Sequence, residues 1–192
     1  MMKFWILRKL VLTTSTKSPK KTKAASANTP KLRFLLQHPA HLFGLGFGSG
    51  LAKKAPGTFG TMVGLPLFWL ISIYTMPAQL IIIGALFLVG IYFCEVTGKA
   101  LGVSDHGGIV WDEIVAMMLV LAFTPNQWQW WLAAFLLFRL FDIWKPFPIR
   151  QCDAKLKNGF GVMFDDLLAA IYTIITLKIC IWLTIQTQLQ AI

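Results

Sequence analysis

Long apolar stretches alternate along the chain with short polar joints. Five such stretches, at roughly 60–76, 79–94, 110–124, 128–141 and 167–185, follow a polar N-terminal portion. They predict apolar helices. Several fall short of the ~20 residues of an average membrane span, so they are expected to tilt, to begin within their polar flanks, or to pack as re-entrant helices. The predicted fold is all-α: a polytopic membrane helical bundle of about four to five apolar helices with Gly-rich and acidic cytoplasmic loops. No internal repeat or sustained heptad breaks this picture.

The joints differ in charge. Residues 75–79, 124–129 and 184–192 carry none, whereas 95–108 and 142–166 carry Lys99, Lys145, Arg150, Lys155, Lys157 and nearly all the acids. The positive-inside rule then places the N-terminus and both charged joints in the cytoplasm and the C-terminus outside. Every polar cluster falls on the cytoplasmic side. Trp128, Trp130 and Trp131 beside an uncharged joint read as interfacial anchors. Lys178, inside the last apolar stretch, either snorkels or pairs with an acid.

Composition agrees. The chain is 56% hydrophobic and 14% charged, with mean hydropathy +0.64, whereas soluble domains carry about 25% charged residues. Residues 1–54 hold eleven Lys or Arg and no acid, which suits an anionic cytoplasmic leaflet. Such a tail also suits nucleic acid, but no nucleic-acid fold motif is present. The apolar run Phe4–Leu7 is too short for a secretory signal. The basic, Ser/Thr-rich start imitates an organellar transit peptide but reads better as a surface-associating segment with a flexible linker from Thr13 to Pro30. Cys94, Cys152 and Cys180 are widely spaced and form no CxxC, so neither zinc nor a disulfide framework is indicated.

All eight acids lie between Glu95 and Asp166. Six of them sit in polar clusters that abut apolar stretches: Asp105 with Asp112 and Glu113, then Asp142, then Asp165 and Asp166. Carboxylates beside membrane-type segments are costly unless they pair, bind a cation or line a wet cavity. Several converging on one zone suggest a hard-metal site of the Mg²⁺ or Mn²⁺ kind.

Four stretches carry this chemistry. Gly44–Gly50 followed by Lys53–Thr61 is rich in glycine and offers Ser49, Thr58 and Thr61 as hydroxyl donors. It reads either as an anion cradle or as a loop allowing close helix packing. In Gly102–Glu113, Asp112 and Glu113 point about 100° apart on a helix, and Asp105 with His106 can fold back onto them. The rival reading is two acids complementing a helix dipole. Arg139, Asp142 and Lys145 recur every three residues and share a helix face. Pro146 ends that helix near Lys145, presenting Lys145 and Arg150 to a phosphate ester. The bland alternative is an Arg139–Asp142 ion pair with snorkelling cations. Finally, Asp165 and Asp166 close a Gly-containing joint. One acid there would be an N-cap; two suggest metal coordination.

Gly46–Leu51, Ala55-Pro-Gly-Thr58, Asp105–Glu113, Arg139–Asp142, Lys145-Pro-Phe-Pro-Ile-Arg150 and Asp165-Asp166 together closely resemble the phosphatidylglycerophosphatase A family. They run in that family's order over roughly 38–180, leaving 1–37 as a basic, flexible extension and 38–192 as the membrane domain. The resemblance implies a bacterial inner-membrane, multi-pass, Mg²⁺-dependent phosphatase. Its substrate is phosphatidylglycerophosphate, its products are phosphatidylglycerol and inorganic phosphate, and its site faces the cytoplasm.

The expected roles follow from the chemistry. Asp112, Glu113, Asp165 and Asp166 bind metal, with Asp142 next. Lys145 and Arg150 hold the phosphate, helped by Arg139, Ser49 and Thr58. Asp105 or His106 acts as general base or protonates the leaving alkoxide. Without a HAD-type DxDx(T/V) motif, direct attack by water is preferred to an aspartyl-phosphate. A CDP-alcohol transferase would need DGxxAR…DxxxD, and a PAP2-type phosphatase would need PSGH; both are absent. A broader lipid-phosphate phosphatase and a small membrane transporter subunit remain as alternatives, and the transporter would favour acids at mid-span.

Overall fold

The computed structural model describes residues 30–190 and is helical, with no strand among the described residues. The predicted surface-associating segment and almost all of the predicted linker lie outside these residues. Two short helices, α1 (Leu32–Leu35) and α2 (Pro39–Gly44), lead into a 3-10 turn at Gly46–Leu51. His38 Nδ1 caps α2 by accepting from the Ala40 N–H at 3.1 Å. The remaining helices are α3 (Pro56–Ile71), α4 (Met76–Leu101), α5 (Trp111–Ala122), α6 (Trp128–Trp144), α7 (Ile149–Lys155) and α8 (Gly159–Gln190).

Two of them, α4 and α8, are long and apolar enough to cross a membrane, and α3 is a shorter apolar helix. At 1.5 Å per residue α4 is about 39 Å long, more than the ~30 Å hydrocarbon layer. Both long helices run into flanks that hydropathy assigns to joints. Helix α4 continues through Glu95 and Lys99, which pair at 2.9 Å. Helix α8 begins at Gly159, so Asp165 and Asp166 sit in its second turn rather than opening it. Asn158 takes the capping role, its Oδ1 accepting from the Gly161 N–H at 2.9 Å. A second tie comes from α4, where Glu95 Oε2 accepts from the Gly159 N–H at 2.5 Å.

Helix α5 is the hub. It is only about 18 Å long, and nine of its twelve residues are buried. It packs against α3, α4, α6 and α8. Ile114, Met117, Val120 and Leu121 fill the core with Phe138 and Ala134 of α6 and Ala169 and Ala170 of α8. Burying each such large side chain contributes about 1.5–3 kcal/mol where water is the alternative. Two notches admit α5. A Cβ on Gly60 of α3 would lie 2.6 Å from Val110 Cβ, and one on Gly90 of α4 would lie 2.6 Å from Trp111 Cδ1. Close approach of this kind is what small residues at helix interfaces permit. Trp111 then donates its Nε1–H to the Leu86 carbonyl at 3.2 Å, which locks the start of α5 to α4.

Helix α6 ends at Trp144 as Pro146 predicts. Lys145 follows in the left-handed region, with φ 45°, and its N–H closes on the Phe141 carbonyl at 2.9 Å. Among the described residues the three cysteines are free, with Cys94 buried against the Met163 sulfur. The starts of α3, α5 and α8 and the ends of α4 and α6 meet at one end of the bundle. The acids gather there because each helix delivers its polar terminus to the same place.

Candidate active site

The first turn of α5 and the second turn of α8 place three carboxylates face to face. Asp112, Glu113 and Asp166 each offer an oxygen within 4.8 Å of the others. Asp112 and Asp166 are 8% and 3% exposed. Asp165, 5% exposed, points the other way and pairs with Lys145 Nζ at 2.5 Å. Adjacent residues diverge by about 100° on a helix, so α8 gives one acid to the cluster and the other to the lysine.

Arg139 closes one side. Its Nη1 lies 2.6 Å from Asp142 Oδ2 and 3.7 Å from Glu113 Oε1. It also donates to the Thr61 hydroxyl at 3.3 Å, and that hydroxyl donates to the Gly57 carbonyl at 2.9 Å. Gly57 in turn presses on the pair: a Cβ there would collide with Glu113 Oε1 and lie 3.1 Å from both Arg139 terminal nitrogens. The first turn of α3 therefore forms a wall of the site. The Arg139–Asp142 pair anticipated as the bland alternative is present, and it serves the cluster by holding Glu113.

Lys145 closes the other side. Besides Asp165 it lies 3.3 Å from Asp153 Oδ2. Burial opposes its charge, but Asp165, with Asp153 and Asp105 behind it, outweighs this and raises the ammonium pKa above its ordinary value. Burial likewise pushes Asp153 up, yet Lys145 and Lys157 hold its carboxyl below the usual range. Lys145 is thus a fixed cation at neutral pH.

The other anticipated residues are more scattered. Arg150 is exposed, and no ion pair engages it among the described residues. Thr58 is half-buried in the first turn of α3, next to Gly57. The Ser49 hydroxyl donates to the Gly46 carbonyl at 2.8 Å, inside the 3-10 turn. That turn packs on the next polar joint, where Gly50 abuts the Gly108 carbonyl and the Val110 N–H donates to the Gly44 carbonyl at 3.0 Å. The close-packing reading of the glycine stretch is realised here. Asp105 is exposed. His106 is buried, and its Nδ1 accepts from the Gly108 N–H at 3.0 Å. Burial lowers its pKa, with Asp105 opposing. In the neutral ring that hydrogen bond leaves Nε2 as the protonated nitrogen.

Four residues acquire positions that local sequence gave no reason to assign: Gly57, Thr61, Glu95 and Asp153. Only the Thr61 hydroxyl was legible as a donor, and its partner lies 78 positions away.

Six buried side-chain atoms have no hydrogen-bond partner among the described residues: Asp112 Oδ1, Glu113 Oε2, Asp165 Oδ1, Asp166 Oδ2, His106 Nε2 and Arg139 Nε. Four are carboxylate oxygens of the predicted metal set. Unpaired buried carboxylate oxygens are costly. An all-oxygen donor set of this kind suits a hard divalent cation.

Known proteins resemble this chain over most of its length. A model of the family described as phosphatidylglycerophosphatase A matches residues 42–181. A Haemophilus influenzae protein named phosphatidylglycerophosphatase A is 53% identical over 150 residues, covering 77% of this chain and 92% of its own. An Escherichia coli protein of the same name is 40% identical over 142 residues, covering 73% and 83%. A Bacteroides thetaiotaomicron protein, provisionally named a phosphatidylinositol-3-phosphatase, is 35% identical over 150 residues, covering 73% and 92%. No solved structure matches the chain. With the motifs from Gly46 to Asp166 all inside the matched span, the chain belongs to the phosphatidylglycerophosphatase A family.

Proposed function

We propose that this chain hydrolyses phosphatidylglycerophosphate to phosphatidylglycerol and inorganic phosphate with the help of Mg²⁺. Family membership supports the phosphatase activity and the substrate. The observation that carries the site is the group of three carboxylates within 4.8 Å of one another, each keeping a buried oxygen without a partner. Asp112, Glu113 and Asp166 would hold the ion, while Asp165 holds Lys145. Bound there, Mg²⁺ would supply neutralisation of phosphate charge and activation of water.

The chain's own residues do the rest. Lys145 and the unpaired Arg150 bind the terminal phosphate and stabilise charge as it develops. Arg139 is a positioning residue, since it holds Glu113 and Asp142. Water attacks phosphorus, the bond to the glycerol oxygen breaks, and that oxygen takes a proton. Exposed Asp105 is suited to take the proton of the attacking water and to return it to the leaving oxygen, while the neutral His106 ring keeps its Nε2 proton and can only offer a hydrogen bond. Ser49 acts through the glycine turn and Thr58 borders the phosphate.

The five helices α3, α4, α5, α6 and α8 form the multi-pass domain of a bacterial inner-membrane protein, with the acidic end facing the cytoplasm. Loop charge supports that orientation. Residues 1–37 form a basic extension suited to the anionic leaflet. A transport role is disfavoured because the acids sit at helix ends on one side of the bundle rather than at mid-span.

The test is phosphate release by purified protein in detergent. Phosphatidylglycerophosphate is expected to be cleaved selectively over phosphatidate, with activity lost in chelator and restored by Mg²⁺. Equal turnover of both lipids would point to the broader lipid-phosphate phosphatase, which the differently named Bacteroides thetaiotaomicron relative brings into view. No release by folded protein would remove the enzyme reading. In the same assay Gly57→Ala is expected to cost about 10–100-fold in kcat, because the new methyl displaces Glu113 and Arg139. Full activity would show that α3 does not wall the site.

A further inference from the structure

Beside the carboxylates a groove of 420 Å³ runs between α4, α5 and α8. Ile83, Gly84 and Phe87 of α4, Leu119 of α5 and Leu167 of α8 are among its lining residues. Every other lining side chain is apolar except Asp112, at one end. Asp112 is 8% exposed, and its Oδ1 has no partner. From Asp112 to Leu119 the groove follows α5 for about 10 Å.

This polarity is that of a glycerolipid, with a phosphate-bearing end joined directly to hydrocarbon. We propose that the groove holds an acyl chain of the lipid substrate and sets the reach of its headgroup into the carboxylate cluster. The proposal rests on the lipid-phosphatase reading above.

Gly84 supports it independently. Glycine in a helix interior weakens the helix, and packing usually explains its presence. Here a Cβ would meet nothing within 4 Å. The missing side chain therefore opens the groove rather than admitting a neighbouring helix. An apolar partner helix in the groove would set hydrocarbon against Asp112, the acid at its end. A lipid brings a polar headgroup to that point and hydrocarbon to the rest.

The test compares wild type with Gly84→Leu and with Leu119→Trp, which fills the far end. Ile81→Trp, at an exposed position on α4, is the control. Each purified full chain is given diacyl phosphatidylglycerophosphate and the deacylated headgroup, glycerophosphoglycerophosphate, with melting temperature as the folding check. The ratio of kcat/KM for diacyl over deacylated substrate is expected to fall about tenfold in both groove variants, the loss from displacing about two buried methylenes. It is expected to hold in Ile81→Trp.

A second readout needs no turnover. A lipid with a diazirine in its acyl chain is expected to label the α4 and α5 segments lining the groove in wild type and not in Gly84→Leu. An unchanged ratio, an equal fall on both substrates, or labelling elsewhere would overturn the proposal. So would cross-linking of Gly84→Cys to a second copy without lipid label. If wild type cleaves neither substrate, the phosphatase reading falls and the labelling alone decides the groove.

Discussion

Asp112→Asn is expected to abolish Mg²⁺-dependent phosphate release while the protein stays folded. Asp112 belongs to the three-carboxylate group, and one of its oxygens is buried without a partner. Asparagine keeps the shape and removes the charge. A neutral amide is a poor ligand for a hard dication, and even residues that merely orient a metal's ligands cost about 10–100-fold when changed. A loss of at least about a hundredfold is therefore expected for a direct ligand. Stability should move the other way. Without an ion, Asp112 lies among like charges in a desolvated place, so replacing it relieves repulsion. In chelator the melting temperature of Asp112→Asn is expected to equal or exceed that of wild type. Ligand that binds only the folded state raises stability, so wild type should gain melting temperature on adding Mg²⁺ and the variant should gain little. Wild-type turnover by Asp112→Asn, or an undiminished Mg²⁺ shift, would remove Asp112 from the site.

Arg139→Ala is expected to damage both activity and stability. Its guanidinium pairs with Asp142 and Glu113, and all three side chains keep only 12–14% exposure. Removing the cation leaves two carboxylates nearly buried and uncompensated, which costs about 3–5 kcal/mol in a fully buried pair and somewhat less here. Thr61 also loses its donor. Glu113 is then free to leave the cluster, so kcat should fall by about 10²-fold, as expected when a metal-site group is misplaced. Arg139→Lys should restore part of the stability but less of the activity, since one ammonium cannot span Asp142, Glu113 and Thr61 together. The double variant Arg139→Ala/Asp142→Asn discriminates a charge effect from a packing effect. If charge dominates, it melts higher than Arg139→Ala alone while remaining inactive. If the double variant melts no higher, the loss is one of packing around the arginine.

The helices and part of the acidic group are legible in the amino-acid sequence. Hydropathy located the helices, and the polar clusters between them share one end of the bundle. The pairing of Asp112 with Glu113 at the start of an apolar run marked two members of the three-carboxylate group, and Pro146 the end of α6. Less legible were helix extents. Glu95 and Lys99 look like joint residues by hydropathy, yet they belong to the last turns of α4, where they pair with each other and Glu95 ties the start of α8. Such residues add little hydrophobicity, so composition hides a helix that tertiary contacts sustain. The stretch 110–124 looks like a span, yet α5 is a twelve-residue core helix. Apolar composition alone does not tell a lipid-facing surface from one buried against other helices, because both exclude water.

The amino-acid sequence alone determined the all-helical class, the family, and which residues bring charge to which joint. These are local properties: hydrophobicity, proline and glycine placement, and the spacing of acids. Only the tertiary structure decided that Asp166 joins Asp112 and Glu113 while Asp165 pairs with Lys145. It also decided that Thr61 and Gly57 brace Arg139, and that Ser49 is occupied within its own turn. The reason is rotational. A helix presents successive residues about 100° apart, and which direction meets a neighbour depends on how α3, α5, α6 and α8 pack, through notches such as Gly60 and Gly90. That is set by contacts between residues distant in the chain.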